Sequence, residues 1–430
     1  MPTGNWTRIE PTGGLPPGDR VHYFQRVSCP PLDPGRSYTA RMQAASGTVA
    51  TATFRTLPDE LPDWPDRPFT VLLGSCFCLE SDQQGDVGYS FFWLPEDDRP
   101  TVKILCGDQV YLDIGTWVLQ NFPDDEAWLG GTFLRKYVET WSQTDPAEQR
   151  GFGLILQEGA NYFASDDHEF WNNFPNRATI VQNTWREDGR GRWERPARYL
   201  YQTFQDSTPD RPKTFDVDPV SFFLLDCRFA REPGEERFAH PDRLNELKQW
   251  VEGLNASRRF GLLCLGQPIF EKPGSWFSRT FADKNLPDYK QYDDLVRVLA
   301  QCRRPLVVLT GDVHYGRVAR CRLPTGADLV EIISSPSSVV PDPRERIHPR
   351  VPQAPSSDFP PEAGAVARVP VETQRTVAGA PALTALDHFL TINLWRRGSS
   401  VRLQLKYWPV RTNGQRPTPI HRILFDLTPP

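Results

Sequence analysis

The sequence predicts an α/β protein in which buried strands alternate with helices, preceded by a small β-rich unit. Three observations carry that expectation. Short apolar runs of strand length recur at residues 69–74, 101–106, 220–225, 260–265 and 305–309. Two stretches with helical spacing of apolar residues separate the last three runs. The first 60 residues and the segment after Gly311 are rich in strand-forming patterns. At 430 residues the chain exceeds what one compact core usually holds, so two domains, or one large domain with an appendage, are expected.

Taken in order, residues 1–60 read as a small N-terminal β-sandwich. Residues 21–27 are mixed, 37–42 alternate apolar with polar, and 48–56 are rich in Thr, Val and Ala. Turn residues (Pro34-Gly35, Ser46-Gly47) separate these runs. Residues 61–68, rich in Pro and Asp, read as a linker. From Phe69 to the end the chain reads as the main domain. Its helices are expected at 243–254, with Leu244, Leu247, Trp250, Val251 and Leu254 on one stripe, and at 293–302, with Leu295, Val298 and Leu299. A strand at 329–334 and a hairpin of 389–395 with 401–407 around Gly398 follow. Between them, 341–387 is a Pro/Ala-rich stretch with little periodicity, read as a disordered loop or a lid.

Composition excludes some functions. A formal net charge of -5 leaves no electrostatic footprint for nucleic acid or anionic membranes, so any phosphate affinity must be local. No apolar run approaches the roughly 20 residues that span a bilayer. If Met1 is the native start, the absence of a signal peptide or twin arginine predicts a cytoplasmic protein. Eight scattered cysteines, with Cys106, Cys227 and Cys264 inside apolar runs, read as reduced core residues and not as a disulfide scaffold.

The polar groups fall at strand ends, where active sites of α/β sheets collect. One strand ends in Gly74-Ser75-Cys76 and the next in Gly107-Asp108-Gln109-Val110-Tyr111-Leu112-Asp113. A later segment reads Asp166-Asp167-His168-Glu169-Phe170-Trp171-Asn172-Asn173, and another strand ends in Thr310-Gly311-Asp312-Val313-His314. Singly, each has a structural explanation as a cap, turn or core residue. Four such sets in one chain, three of them at strand ends, point to a metal site.

The ordered set GSC, GDQVYLD, DDHEFWNN, LLDCR and LTGDVH resembles the PhoD-like alkaline phosphatases and phosphodiesterases of the calcineurin-like metallophosphoesterases, over about residues 69–340. The resemblance implies a four-layer double β-sheet sandwich flanked by helices, with 69–430 as the catalytic domain. It also implies a dinuclear or trinuclear centre of Fe(3+) with Ca(2+), with Mn, Zn or Mg as the other candidates. By that resemblance Asp108 bridges the metals, and Cys76 and Tyr111 ligate the iron, as anionic sulfur and phenolate donors suit it. Asp167, Asp312 and His314 are further ligands, and His168 is the catalytic acid. The chain departs from the superfamily in lacking an N-terminal DxH motif, and with 7 His in total a His-rich dizinc site is not expected.

Arg228 has two readings: a fork for substrate phosphate, or a structural partner of Asp226. Asn173, with Asn172, either fixes its loop or offers an oxygen to metal or substrate. Cys78 reads as structural, and Gln267 as a possible pocket residue at a strand end. The expected reaction is hydrolysis of a small-molecule phosphate ester, mono- or diester, by in-line attack of a metal-bound hydroxide. No Ser, Cys or Thr lies in a nucleophile motif. The alternatives are a phospholipase D-like phosphodiesterase and a non-catalytic, metal-stabilised phosphate-binding protein. Trp93, Trp117, Trp171, Trp185 and Trp276 are core residues or shape substrate choice. No nucleic-acid partner and no stable membrane association are expected, and oligomeric state is open.

Overall fold

The structure is a computed structural model that describes residues 6–16, 18–44, 47–82, 84–113, 122–179, 181–274, 283–339, 350–362, 364 and 366–430. Strands are numbered along the chain. Among the described residues the first 60 form two two-stranded ribbons, β1 (Thr7–Arg8) with β2 (Tyr23–Phe24) and β3 (Ser37–Ala44) with β4 (Gly47–Arg55). This is plainer than the expected sandwich. Much of β3 is exposed, Thr39 through Met42 included, so it offers no apolar inner face for a second sheet. The stretch 61–68 is held against the main domain. Leu61 is buried, Trp64 donates its N–H to the Arg396 carbonyl, and its ring meets Trp395 edge-on.

Two large sheets follow. The first has the order β19 (His421–Leu427), β18 (Ser400–Pro409), β17 (His388–Arg397), β5 (Phe69–Gly74), β6 (Val102–Cys106), β7 (Ala160–Ala164). The second runs β14 (Asp358–Phe359), β15 (Val369–Thr373), β12 (Gly316–Arg322), β13 (Asp328–Ile333), β11 (Leu306–Thr310), β10 (Phe260–Gly266), β9 (Val220–Leu224), β8 (Lys213–Val217), with β16 (Leu383–Thr384) also on β12. Strands β5, β6 and β7 are parallel, as are β9, β10, β11 and β13.

Strands β5, β6, β9, β10, β11 and β13 are near-continuous apolar runs because each is buried on both faces. Val71, Leu73, Ile104 and Cys106 point between the sheets, where they meet Phe222, Leu262, Cys264, Val307 and Leu309. Their neighbours in sequence point outward, as a period of two requires. Leu72 and Leu105 pack with Val87 and Phe91 of the helix Asp86–Phe92 and with Phe152 and Ile155 of the helix Phe152–Gln157. Leu263, Leu265 and Val308 pack against the helices Pro241–Ser257 and Tyr292–Ala300. The result is four layers, a double sheet sandwich between helices.

Strands at 160–164, 213–217, 316–322 and 421–427 carry too many polar residues to read as buried runs. Helices Glu126–Ser142 and Glu187–Phe204 were also hidden, the first by Gly130-Gly131 and the second by Pro196 and its charges. They enclose an aromatic core of Phe133, Tyr137, Trp193 and Tyr201 around Phe170, Trp171 and Phe174. The stretch 350–387, expected as loop or lid, adds β14, β15 and β16 to the edge of the second sheet. Residues 341–349 lie outside the described residues. Among the described residues no helix is long and apolar enough to cross a membrane.

Candidate metal centre

The carboxyl ends of the parallel strands of both sheets converge. Cys76 follows β5, Asp108 follows β6, and Asp166 to Glu169 follow β7. From the second sheet come Asp226 and Arg228 after β9, Gln267 after β10, Asp312 and His314 after β11, and Ser335 after β13. Backbone bonds tie the turns together: Cys76 N–H to Gly107 O at 3.1 Å, Phe77 N–H to Asp108 O at 2.7 Å, and Gly311 N–H to Gly266 O at 2.5 Å. Two glycines permit this closeness. A Cβ on Gly107 would lie 2.4 Å from Asp166 Cβ, and one on Gly311 would lie 2.4 Å from Ser75 Oγ.

Among the described residues, eight that are not glycine have positive φ. Five of these are Cys76, Asp108, Asn173, Asp312 and His314. Such conformations cost on the order of 1 kcal/mol or more each, and their gathering in one place marks a functional site. The donors fall into three overlapping groups, each with ligand atoms within 4.8 Å of one another: Cys76, Asp108 and His314; Asp108, Asp167 and His168; and Asp108, Asp166, Asp167 and Asp312. Asp108 belongs to all three. Tyr111 Oη lies 3.5 Å and Cys76 Sγ 3.4 Å from the same Asp108 oxygen, Oδ2. The structure therefore brings together Cys76, Asp108, Tyr111, Asp167, Asp312, His314 and His168.

The set is anionic and buried. Burial first, then neighbouring carboxylates, pushes the proton affinities of Cys76, Asp108, Asp166 and Asp167 up, and that of Asp312 up to about 7. Cations in their midst would relieve that repulsion. His314 is driven down to about 4 by burial, His168 and Arg350, so it is neutral and can offer a lone pair. Two buried oxygens, Asp166 Oδ2 and Asn173 Oδ1, have no hydrogen-bond partner among the described residues. The residues present thus fit metal ions.

Burial alone would lower the His168 pKa, but Asp113, Asp167 and Asp108 raise it well above the ordinary imidazole value. Its Nδ1 lies 2.7 Å from Asp113 Oδ1, whose second oxygen accepts the Asn172 N–H at 2.7 Å. That leaves Nε2 for other partners. Glu169 is fully buried and accepts the backbone N–H groups of Asp108 (2.8 Å), Gln109 (2.6 Å) and Asp166 (2.9 Å). It fixes the turns after β6 and β7 to each other.

Arg228 sits differently from either expectation. Its Nε donates to Asp166 Oδ1 at 2.5 Å, and its Nη1 donates to Phe174 O and Asp283 Oδ1, both at 2.9 Å. Its Nη2 meets Asp166 and Asp283. Every N–H of the guanidinium is aimed at a protein acceptor. Asp226 takes the backbone N–H groups of Ser165, Arg228 and Phe229 and is not the partner of the guanidinium. Asn173 holds Asp167 Oδ2 through its backbone N–H at 2.6 Å. Cys78 Sγ turns to Glu80 at 3.3 Å, away from the cluster. Trp171 is core, Trp93 is half-buried and Trp185 is exposed, while Trp117 and Trp276 lie outside the described residues.

Asp113, Glu169 and Asp166 stood inside the quoted motifs without roles. Asp283 was missed, and no sequence signal near it announces a partner for Arg228.

No protein-family profile matches the chain, and none of the curated proteins matches it in sequence. Solved structures do. The structure of PhoD superposes with a TM-score of 0.61 at 14% identity, covering 100% of this chain and 89% of that one. The purple acid phosphatase PPD1 from seeds of yellow lupin (Lupinus luteus) superposes with a TM-score of 0.55 at 9% identity, covering 98% of this chain and 66% of that one. At such identities the likeness is one of fold, and the four-layer double-sheet architecture is shared.

Proposed function

We propose that the protein, built on the fold of PhoD and a purple acid phosphatase, is a metal-dependent hydrolase of phosphate esters. The observation that carries this reading is Asp108, one carboxylate common to three donor groups, as a centre with more than one metal requires. Cys76, Tyr111 and His314, with Asp108, offer sulfur, phenolate and imidazole and suit iron. Asp108, Asp166, Asp167 and Asp312 offer oxygen alone and suit a hard divalent ion, with Asn173 Oδ1 as a further donor. Metals held there would neutralise charge on phosphoryl oxygens and lower the pKa of water towards neutrality.

The chain's own groups do the rest. His168 is held protonated by Asp113, and its Nε2 donates that proton to the departing ester oxygen. Asp113 fixes the ring through Nδ1 and does not itself reach the site. Arg228 balances Asp166 and Asp283 and holds Asp166 Oδ1, so its role is positioning. Asn173 does the same for Asp167 through its N–H. No covalent phosphoenzyme is needed, because water activated by metals held there would supply the nucleophile.

The test is elemental analysis of the purified protein together with hydrolysis of p-nitrophenyl phosphate and its bis-ester, with and without chelator. Bound metal and chelator-sensitive phosphate release are expected, and Asp108→Asn should lose metal and at least about 1,000-fold in kcat/KM. The bis-ester arm reports whether diesters, including phospholipid-type diesters, are preferred. Phosphate binding without turnover in the metal-loaded protein would leave a binding protein.

A further inference from the structure

We infer that Gln267 is a metal-selectivity residue, which holds Asp312 to a single ligand oxygen and so disfavours large cations on the oxygen-lined side of the site. The inference rests on the metal-dependent reading above and names which divalent ion that side prefers.

Gln267 is buried at the end of β10. Its Nε2 donates to Asp312 Oδ2 at 2.8 Å and to Asp283 Oδ2 at 2.9 Å, so both amide hydrogens are used. Its Oε1 accepts from Arg231 Nη2 at 2.5 Å, and Arg231 is anchored in turn by its Nε on the Cys227 carbonyl at 3.0 Å. Arg231 carries no acceptor, so it decides which end of the amide is oxygen and which faces Asp312. Asp283 is held in turn by Arg228, which donates to both of its oxygens.

The other carboxylates of that group are treated alike. Asp166 Oδ1 is held by Arg228, leaving Oδ2 without a partner among the described residues. Asp167 Oδ2 is held by the Asn173 N–H, and Asp108 Oδ1 by the His168 N–H at 3.1 Å. Each carboxylate therefore has one oxygen fixed by a protein donor. Calcium takes six to eight oxygens and often takes a carboxylate through both, whereas small divalent ions accept near-octahedral sets of single oxygens. A ring of carboxylates each restrained at one oxygen favours the smaller ion. In three of them the restraint is a backbone N–H or Arg228, whose loss would disturb much else. At Asp312 it is one neutral side chain, which makes Gln267 the position where selectivity can be changed alone.

The experiment measures affinities for Ca2+ and Mn2+ separately, by competition with a chromophoric chelator, in the full-length parent and in Gln267→Met and Gln267→Glu. Met keeps the length and removes the hydrogens. Glu keeps an acceptor for Arg231 and removes the same hydrogens, so one variant serves if the other fails to fold. Both free Asp312 Oδ2, and the ratio of affinities should move towards Ca2+ by about tenfold. A ratio within about twofold of the parent in a variant that still binds both ions overturns the inference and leaves the metal reading standing. A parent that binds neither ion overturns both.

Discussion

The carboxyl edges of the two sheets contribute to one site in different ways. The first sheet, through the turns after β5, β6 and β7, supplies Cys76, Asp108, Tyr111, Asp166, Asp167 and His168. These are donors and acids, and burial raises the proton affinity of its carboxylates. The second sheet supplies two donors, Asp312 and His314, but also Arg228, Gln267, Asp283 and Ser335, which hold the donors in place. Ser335 Oγ lies 3.2 Å from Cys76 Sγ and accepts the His314 N–H at 3.0 Å. One edge concentrates negative charge that only cations can relieve. The other keeps that charge in position.

The first edge has its own fastening, and removing it is the hardest blow short of removing Asp108. Glu169→Ala leaves the buried N–H groups of Asp108, Gln109 and Asp166 without their acceptor. An unpaired buried donor costs about 1–3 kcal/mol, so a loss on the order of 3 kcal/mol or more is expected, with loss of metal as Asp108 drifts. Thermal unfolding and metal content check this. An unchanged midpoint would mean that the second sheet suffices to hold the turns.

A smaller effect separates chemistry from architecture. Asp113→Asn keeps the ligands but withdraws the charge that raises the His168 pKa. Metal content should stay, while kcat falls about 10- to 100-fold. His168 acts in its protonated form, so the rate is lost as pH rises through its pKa. Lowering that pKa moves the alkaline limb of the kcat profile to lower pH. An unmoved limb with metal retained would remove His168 from the role of acid.

The same contrast explains what could be read from the chain. The donors of the first edge lie within short runs, 74–76, 107–113 and 166–173, because one turn after each strand carries several of them. The paired strand runs and the helices at 243–254 and 293–302 were legible for a similar reason: burial on both faces, or on one stripe, writes a pattern into consecutive residues. The holders are not contiguous. Asp283 is a lone carboxylate in a segment without periodicity, and its partner Arg228 is 55 residues away. Arg228 was visible as an arginine after a strand, but its acceptors could not be, since Asp226 was the nearer carboxylate in sequence. The strands of the N-terminal ribbon β3–β4 were legible at 37–42 and 48–56, whereas the edge strands β14 to β16 were missed because short, half-exposed strands have little pattern to show.

In the interior of the first sheet, by contrast, one charge has no hydrogen-bonding holder among the described residues. Lys103 on β6 points to the outer face, away from the site. Its Nζ is buried without a hydrogen-bond partner among the described residues, 6.0 Å from the centre of the Phe91 ring. Burial lowers its pKa from 10.5 to about 7, against a smaller upward pull from Glu158. Between those two pH values the unfolded chain binds a proton that the folded protein does not, so stability rises with pH across that window. The slope is about 1.4 kcal/mol per pH unit at its steepest, and it ends below pH 7, where both forms are charged. Lys103→Met removes the titrating group and keeps the apolar stem. The variant should therefore exceed the parent in stability most at and below neutral pH, and the gap should close as pH approaches 10. Denaturant unfolding at a series of pH values reads this directly. A gap that does not vary with pH would mean that water or a shifted side chain solvates the ammonium.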